Sequence, residues 1–156
     1  MRKKDSKQKK SHYSDKVKKS ILIKASKEKV WEKISNIVGL SEWVLDVKKT
    51  IYRSKIKRGI GAIRNISFQD GSEVEEHVVA WENKKYFSYI AVSGLPLRVY
   101  HATISLVPQT SNSTRVTWQS YLYSKKMTKT EFREFVSVLG SFYLQSLKNL
   151  KEILEK

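Results

Sequence analysis

The stretch IRNISFQDGSEVEEHVV, Ile63 to Val79, contains the two side chains best placed to do chemistry, Arg64 and Glu76. It reads as a β-hairpin, and two registers fit it. A two-residue loop at Asp70-Gly71 sets Arg64 opposite His77 and mixes apolar with charged residues on both faces. A three-residue loop, Gln69-Asp70-Gly71 with Gly71 at the left-handed position of a bulged turn, sets Ile66 opposite Val74 and Arg64 opposite Glu76. One face then carries Ala62, Arg64, Ile66, Phe68, Val74, Glu76 and Val78, and the other Asn65, Ser67, Glu73, Glu75 and His77. A slip by one residue would turn the apolar set to solvent, so the second register is expected. It makes Arg64 and Glu76 the only charges on the buried face, directly across from each other.

A charge buried alone costs several kcal/mol, so each of the two needs the other or a ligand. One reading is a self-satisfied ion pair that fixes the sheet. The other is a polar site on the wall of an apolar cavity, which orients a small molecule or moves a proton on it. A buried pair is often no more stabilising than apolar residues of the same volume, and this favours the second reading.

The rest of the chain must supply the elements that hold this hairpin. VKKSILIKA, Val17 to Ala25, is apolar and β-branched enough for a strand. Ser26 is an N-cap for KEKVWEKISNI, where Val30, Trp31, Ile34 and Ile37 recur at helical spacing, and GLSEWV makes a second short helical turn. Six strand candidates follow, at roughly 45–56, 61–68, 72–81, 85–92, 98–107 and 114–123, separated by KRGIG, QDG, WENKK, SGLP and PQTSNS. Connections this short favour an antiparallel meander. Thr128-Lys129-Thr130-Glu131 is a capping box. It opens a helix of about 27 residues and some 40 Å, with Phe132, Phe135, Val136, Leu139, Tyr143, Leu147, Leu150 and Leu154 on one face. The concave face of the sheet is the only apolar partner large enough for it. The expected fold is therefore α+β, a seven-stranded curved antiparallel sheet wrapped around a long C-terminal helix, with two short helices after the first strand. Gly140 lies on the apolar face of that helix, where it marks either room for a ligand or close approach to the sheet. Tyr89, Tyr100 and Trp118 alternate inward on their strands and give the interior aromatic walls with polar tips.

Composition narrows the function. The chain has 156 residues, enough for one domain with a real core, and no cysteine, which excludes disulfides and thiolate chemistry. No apolar run follows the basic N-terminus and none is long enough to span a membrane, so a soluble, cytoplasmic protein is expected. The net charge is +16; residues 1–20 hold nine Lys/Arg and two Asp/Glu, a net of +7, leaving +9 on the remainder. Residues 1–16 read as a basic, disordered tail before a single domain at 17–156. The tail's expected role is weak, non-specific contact with anionic lipid or nucleic acid. A second basic cluster runs KKTIYRSKIKRG, Lys48 to Gly59. His12 falls in the tail, His77 and His101 face outward, and no metal-ligand spacing is present, so no metal or cofactor is expected.

The order ILIKASKEKVWEKISNIVGLSEW, GIGAIRNISFQDGSEVEEHVV, YFSYIAVSGLPLRVYHATISLVP, TRVTWQSYLY and a long C-terminal helix resembles the SRPBCC superfamily, also called START-like or helix-grip. It is most similar to the polyketide cyclase/dehydrase and lipid-transport branch. The resemblance covers about residues 17–155 and is carried by Ala25, Val30, Trp31, Trp43, Gly59, Gly61, Arg64, the Glu76 region, Pro96, Tyr100, Pro108 and Trp118. It implies a cavity for an apolar or amphipathic ligand between sheet and helix. In a synthase of this branch an arginine and a glutamate on these adjacent strands are the catalytic pair, and by motif they match Arg64 and Glu76. Ser93-Gly94-Leu95-Pro96 is similar to the gate of the family's hormone receptors but comes two strands later, so no gating role is carried over.

The preferred function is binding of a small lipid- or polyketide-like ligand by a carrier or sensor. Arg64 and Glu76 take its polar end, and Phe68, Tyr89, Leu95, Pro96, Tyr100, Trp118, Leu139, Gly140 and Tyr143 enclose its body. The alternative is an enzyme of the cyclase/dehydratase/isomerase type in which Glu76 moves a proton and Arg64 stabilises negative charge. The second alternative is that the basic surface itself is the function, through anionic membrane or nucleic acid.

Overall fold

The computed structural model describes residues 9–156. The chain runs β1 (Ser11–Ile23), α1 (Lys27–Ser35), a 3-10 turn (Leu40–Glu42), β2 (Val47–Tyr52), β3 (Ile63–Phe68), β4 (Glu73–Glu82), β5 (Tyr86–Ser93), β6 (Val99–Thr110), β7 (Ser113–Met127) and α2 (Lys129–Leu154). All seven strands form one antiparallel sheet in the order β1-β7-β6-β5-β4-β3-β2. Turns and loops join β2 through β7 in sequence, while α1 and the 3-10 turn carry the chain from the β1 edge to the β2 edge. The expected α+β architecture, a curved sheet gripping a terminal helix, is present. Among the described residues no helix is long and apolar enough to cross a membrane.

Alternating connections give the sheet two unlike ends. The β3–β4 turn, the β5–β6 loop and the start of α2 share one end, and the β2–β3 loop, the β4–β5 turn and α1 share the other. Both helices start as their sequences require: Ser26 Oγ accepts from Lys29 N–H, and Thr128 and Glu131 form the reciprocal capping box. Along its C-terminal half α2 buries Tyr143, Leu147, Leu150 and Leu154 against the sheet. Leu45 N–H donates to Ser146 Oγ at 2.9 Å, and Asn149 Nδ2 donates to the Trp43 carbonyl at 3.2 Å, pinning the segment before β2 to the helix.

The domain begins earlier than expected. β1 starts at Ser11 and pairs with β7 from Ser11↔Met127 to Ile23↔Thr114, so residues 11–16, expected in a tail, belong to the sheet. His12 therefore lies on a strand, its Nδ1 2.8 Å from the Tyr123 hydroxyl. Backbone pairing to a long neighbour builds this edge strand whatever its side chains, and Lys16 and Lys18, both exposed on it, also discourage edge-to-edge association. The disorder expected of the tail otherwise falls on residues 1–8, outside the described residues.

Gly140 faces β1 rather than a hollow. A Cβ built there would meet Lys19 Cε at 3.3 Å and Val17 Cγ1 at 3.9 Å. The nearest atom belongs to the far end of a flexible side chain, which can give. Gly140→Ala should therefore raise stability by up to about 1 kcal/mol through helix propensity, read from urea unfolding, with ligand binding unchanged. A destabilised variant would mean that the contact with β1 is too tight for a methyl group.

Candidate functional site

The three-residue register forms. Phe68 N–H donates to the Ser72 carbonyl at 2.9 Å, Gly71 N–H donates to the Phe68 carbonyl at 3.0 Å, and Gly71 has φ +88°. Arg64 consequently pairs with Glu76 and Ile66 with Val74 across β3 and β4. Both charges are interior, Arg64 2% and Glu76 6% exposed. Arg64 Nε and Nη2 both donate to Glu76 Oε1, at 3.0 and 2.9 Å. Its Nη1 donates to the Ile37 carbonyl at 2.9 Å, and its Cζ sits 4.8 Å from the centre of the Tyr89 ring. Ile37 lies just past the end of α1, so Arg64 also ties that segment to the sheet. Sequence reasoning missed this third partner, which no local pattern announces.

Burial pushes the Glu76 carboxyl above the usual carboxylate range, and the attraction and hydrogen bonding of Arg64 only partly offset it. Behind the pair, Trp118 Nε1 donates to the Tyr89 hydroxyl at 3.0 Å, and the Tyr100 and Tyr143 hydroxyls are hydrogen-bonded to each other. Burial first, then neighbouring groups, pushes Tyr89 and Tyr100 well above the usual phenol range. They stay protonated and can donate.

These groups stand at the wall of a cavity of about 660 Å³ between the sheet and the first half of α2. Of the residues expected around a ligand, Arg64, Glu76, Phe68, Tyr89, Leu95, Tyr100, Trp118 and Leu139 line it. Three expected residues do not. Gly140 faces β1. Tyr143 is stacked behind Trp118, ring centres 4.1 Å apart and planes 13° apart, so it braces the wall without forming it. Pro96 is exposed on the β5–β6 loop and borders a separate small depression with Arg98, Lys125 and Lys126. That loop is held down at Gly94, with φ +96°, where a Cβ would collide with the Glu73 carbonyl.

Sequence reasoning overlooked Trp43, Val47, Val138 and Phe142, which also line the cavity. A signal existed for α2: Val138 and Phe142 are apolar yet lie off the packed stripe, and Val138 is 62% exposed. The mouth adds Asp46, Gln69, Asp70 and Ser72. Ser72 Oγ and N–H both donate to Asp70 Oδ1, at 2.6 and 2.8 Å, and hold the Asp70 carboxyl below its ordinary value. The described residues contain no cluster of His, Cys, Asp and Glu able to hold a metal ion.

The site thus offers one carboxyl whose hold on a proton is strengthened by burial, one permanent cation committed to it, and phenol donors, all on an apolar wall. Such a set can orient a carbonyl or hydroxyl and can exchange a proton with it.

Comparison with known proteins adds the lineage. A family model described as polyketide cyclase / dehydrase and lipid transport matches residues 14–155. A search of curated proteins finds no match. Among solved structures, the chain is similar to an uncharacterised protein from Bacillus thuringiensis (TM-score 0.78, 21% identity, 91% of this chain and 100% of that one). It is similar to the Zhui aromatase/cyclase from Streptomyces (TM-score 0.79, 12% identity, 92% and 94%). It is also similar to norcoclaurine synthase from Thalictrum flavum, solved with dopamine and hydroxybenzaldehyde (TM-score 0.69, 18% identity, 92% and 87%). At these identities the structures establish a shared fold.

The raised Glu76 carboxyl has a signed consequence for stability. The folded state binds this proton more tightly than the unfolded chain, whose value is near 4.5. The contribution is therefore full below pH 4.5 and is lost as the pH rises through the folded value. Glu76→Gln keeps an acceptor for Arg64 but cannot titrate. Urea unfolding across pH should show the stability of wild type relative to Glu76→Gln falling from about pH 4.5 upward; a relative stability that rises with pH would show that the Arg64 attraction outweighs burial. A second pair of variants separates the ion pair's parts. Arg64→Leu should cost about 3 kcal/mol by leaving Glu76 buried and unpaired, and Arg64→Leu/Glu76→Leu should recover much of that loss.

Proposed function

Because this chain belongs to the polyketide cyclase / dehydrase and lipid transport family, we propose that it binds a small lipid- or polyketide-like molecule in the cavity between sheet and α2, as a carrier or sensor in the cytoplasm. One observation carries this reading: a fully buried Arg64–Glu76 pair forms part of the wall of a cavity of about 660 Å³ that is otherwise largely apolar and aromatic. That volume lies within the range of about 300–1,000 Å³ typical of small-molecule sites. Trp118, Phe68 and Leu139 contact the ligand body, and its polar end reaches the pair.

The charges also define the polar end. Arg64 is paired with Glu76, no lysine among the described residues lines the cavity, and Asp46 and Asp70 stand at its mouth. A ligand carboxylate would bring an uncompensated charge out of water unless Glu76 took up a proton. The favoured ligand carries a neutral hydroxyl or carbonyl.

A catalytic reading has its own support. Burial raises the Glu76 carboxyl above its ordinary value beside a fixed cation, and two proteins of this fold, the Zhui aromatase/cyclase and norcoclaurine synthase, are named as enzymes. In that case Glu76 moves a proton on a ketide-like substrate and Arg64 stabilises the developing oxyanion. Binding is preferred because Nε, Nη1 and Nη2 of Arg64 are all engaged by protein acceptors. An electrophilic role would have to displace one of them.

Native mass spectrometry of freshly purified protein should reveal a bound apolar molecule that is lost in Leu139→Trp, which fills the cavity and leaves the ion pair intact. Displacement of a neutral naphthylamine dye should rank dodecanol at least about tenfold above dodecanoate at neutral pH, reflecting one unpaired charge. Bare protein together with no dye uptake would sink the binding reading, and tighter dodecanoate would sink the charge argument.

A further inference from the structure

The β2–β3 loop, residues 53–62, is untouched by the cavity and lies at the opposite end of the sheet from its mouth. It carries Arg53, Lys55, Lys57 and Arg58, and the sequence has no carboxylate between Asp46 and Asp70. Between these cations Ile56 is 51% exposed and Ile60 65% exposed. Two large aliphatic side chains in water, set among four positive charges, form an amphipathic surface with no partner in the described chain.

The loop is built to hold that shape. Ser54 Oγ donates to the Ile56 carbonyl at 2.5 Å and accepts from Ile63 N–H at 2.8 Å. Gly61 N–H donates to the Val78 carbonyl at 3.0 Å, and Ala62 N–H to the Gly59 carbonyl at 3.2 Å. Gly59 and Gly61, with φ +94° and +92°, make the turns that other residues rarely adopt. From below, Arg58 Nη2 donates to Ser35 Oγ at 2.8 Å with its guanidinium 5.8 Å from the Trp81 ring centre, and Lys57 Nζ lies 5.6 Å from that of Tyr52. The isoleucines are held out by a fixed backbone. At the neighbouring β4–β5 turn, Lys85 is paired with Glu82 at 3.0 Å, and Lys84 adds a further cation.

We infer that this loop docks the protein on an anionic membrane surface, with Ile56 and Ile60 entering the interface between headgroups and chains and the flanking cations meeting lipid phosphates. Charge complementarity selects the partner. Each basic side chain near an anionic leaflet raises partitioning about fivefold, and shallow apolar insertion supplies the rest. A nucleic acid would be held by the same cations but gives the isoleucines nothing to enter. With the loop on the membrane, the cavity mouth faces away from it, so ligand exchange takes place on the side open to solvent. The inference is independent of what the cavity binds.

Flotation of the full chain with vesicles tests it, using phosphatidylcholine alone and phosphatidylcholine mixed with phosphatidylglycerol, at low and high salt. The expected result is binding to the mixed vesicles only, weakened by salt. Ile56→Ser/Ile60→Ser, which keeps every charge, should lower partitioning about tenfold, with an unchanged thermal melt because both side chains are exposed. Undiminished binding of that variant would show that charge alone, including that of the basic N-terminus, accounts for association, and would overturn the inference. So would failure of the wild type to bind, loss of binding on Val138→Ser at the cavity mouth instead, or duplex DNA outcompeting the vesicles.

Discussion

Arg64 brings a full charge into the concave face of a sheet, and the fold around it is arranged to compensate that charge. Glu76 stands opposite on the next strand, the Ile37 carbonyl closes from the end of α1, and the Tyr89 ring lies against the guanidinium. Removing one partner from such a set leaves a buried group with no solvent to replace it, which is far more costly than the set is stabilising. The pair therefore imposes a constraint on its surroundings: β3 and β4 must keep their register, and the chain after α1 must pass within reach of Nη1. The same arrangement holds Glu76 where burial dominates its titration, so the structural constraint and the chemical potential of the site have one origin.

The second determinant is how α2 meets the sheet. From Tyr143 onward its inner side chains are buried, while Phe135, Val138, Leu139 and Phe142 on its earlier turns border open space. Large aromatic groups keep that space from collapsing. Trp118 stacks on Tyr143 and lies 5.7 Å from Trp43 and 5.9 Å from Phe142, ring centre to ring centre, and its indole N–H is fixed on Tyr89. Rigid rings joined by hydrogen bonds resist the rearrangement that would fill a hollow lined only by flexible aliphatic chains. The result is a single closed network in which the polar wall, the aromatic wall and the helix brace one another.

Much of this was legible in the sequence. Alternation in IRNISFQDGSEVEEHVV indicated both the turn and the partnership of Arg64 with Glu76, because only one register keeps Ile66, Val74 and Val78 out of water. The capping box and the spacing from Phe132 to Leu154 indicated α2 and its inner face. The errors were of another kind. Residues 11–16 resembled a tail because an edge strand can be polar on its exposed side, and Gly140 and Tyr143 were assigned to the ligand because helical spacing reports a face without its distance from the partner.

Local periodicity and the cost of exposing apolar groups are properties of the chain itself, so the sequence alone determined the succession of elements along the chain, the hairpin register, the long helix and the burial of one arginine with one glutamate. Tertiary structure decided that α2 packs tightly along its second half and leaves one side of its first half on open space, that Gly140 turns to β1, that Tyr143 lies behind Trp118, and that a carbonyl twenty-seven residues from Arg64 in sequence completes its coordination. Each of these depends on the separation and tilt of elements distant in the chain. Those quantities are set by the summed packing of many side chains, and no short stretch of residues encodes them.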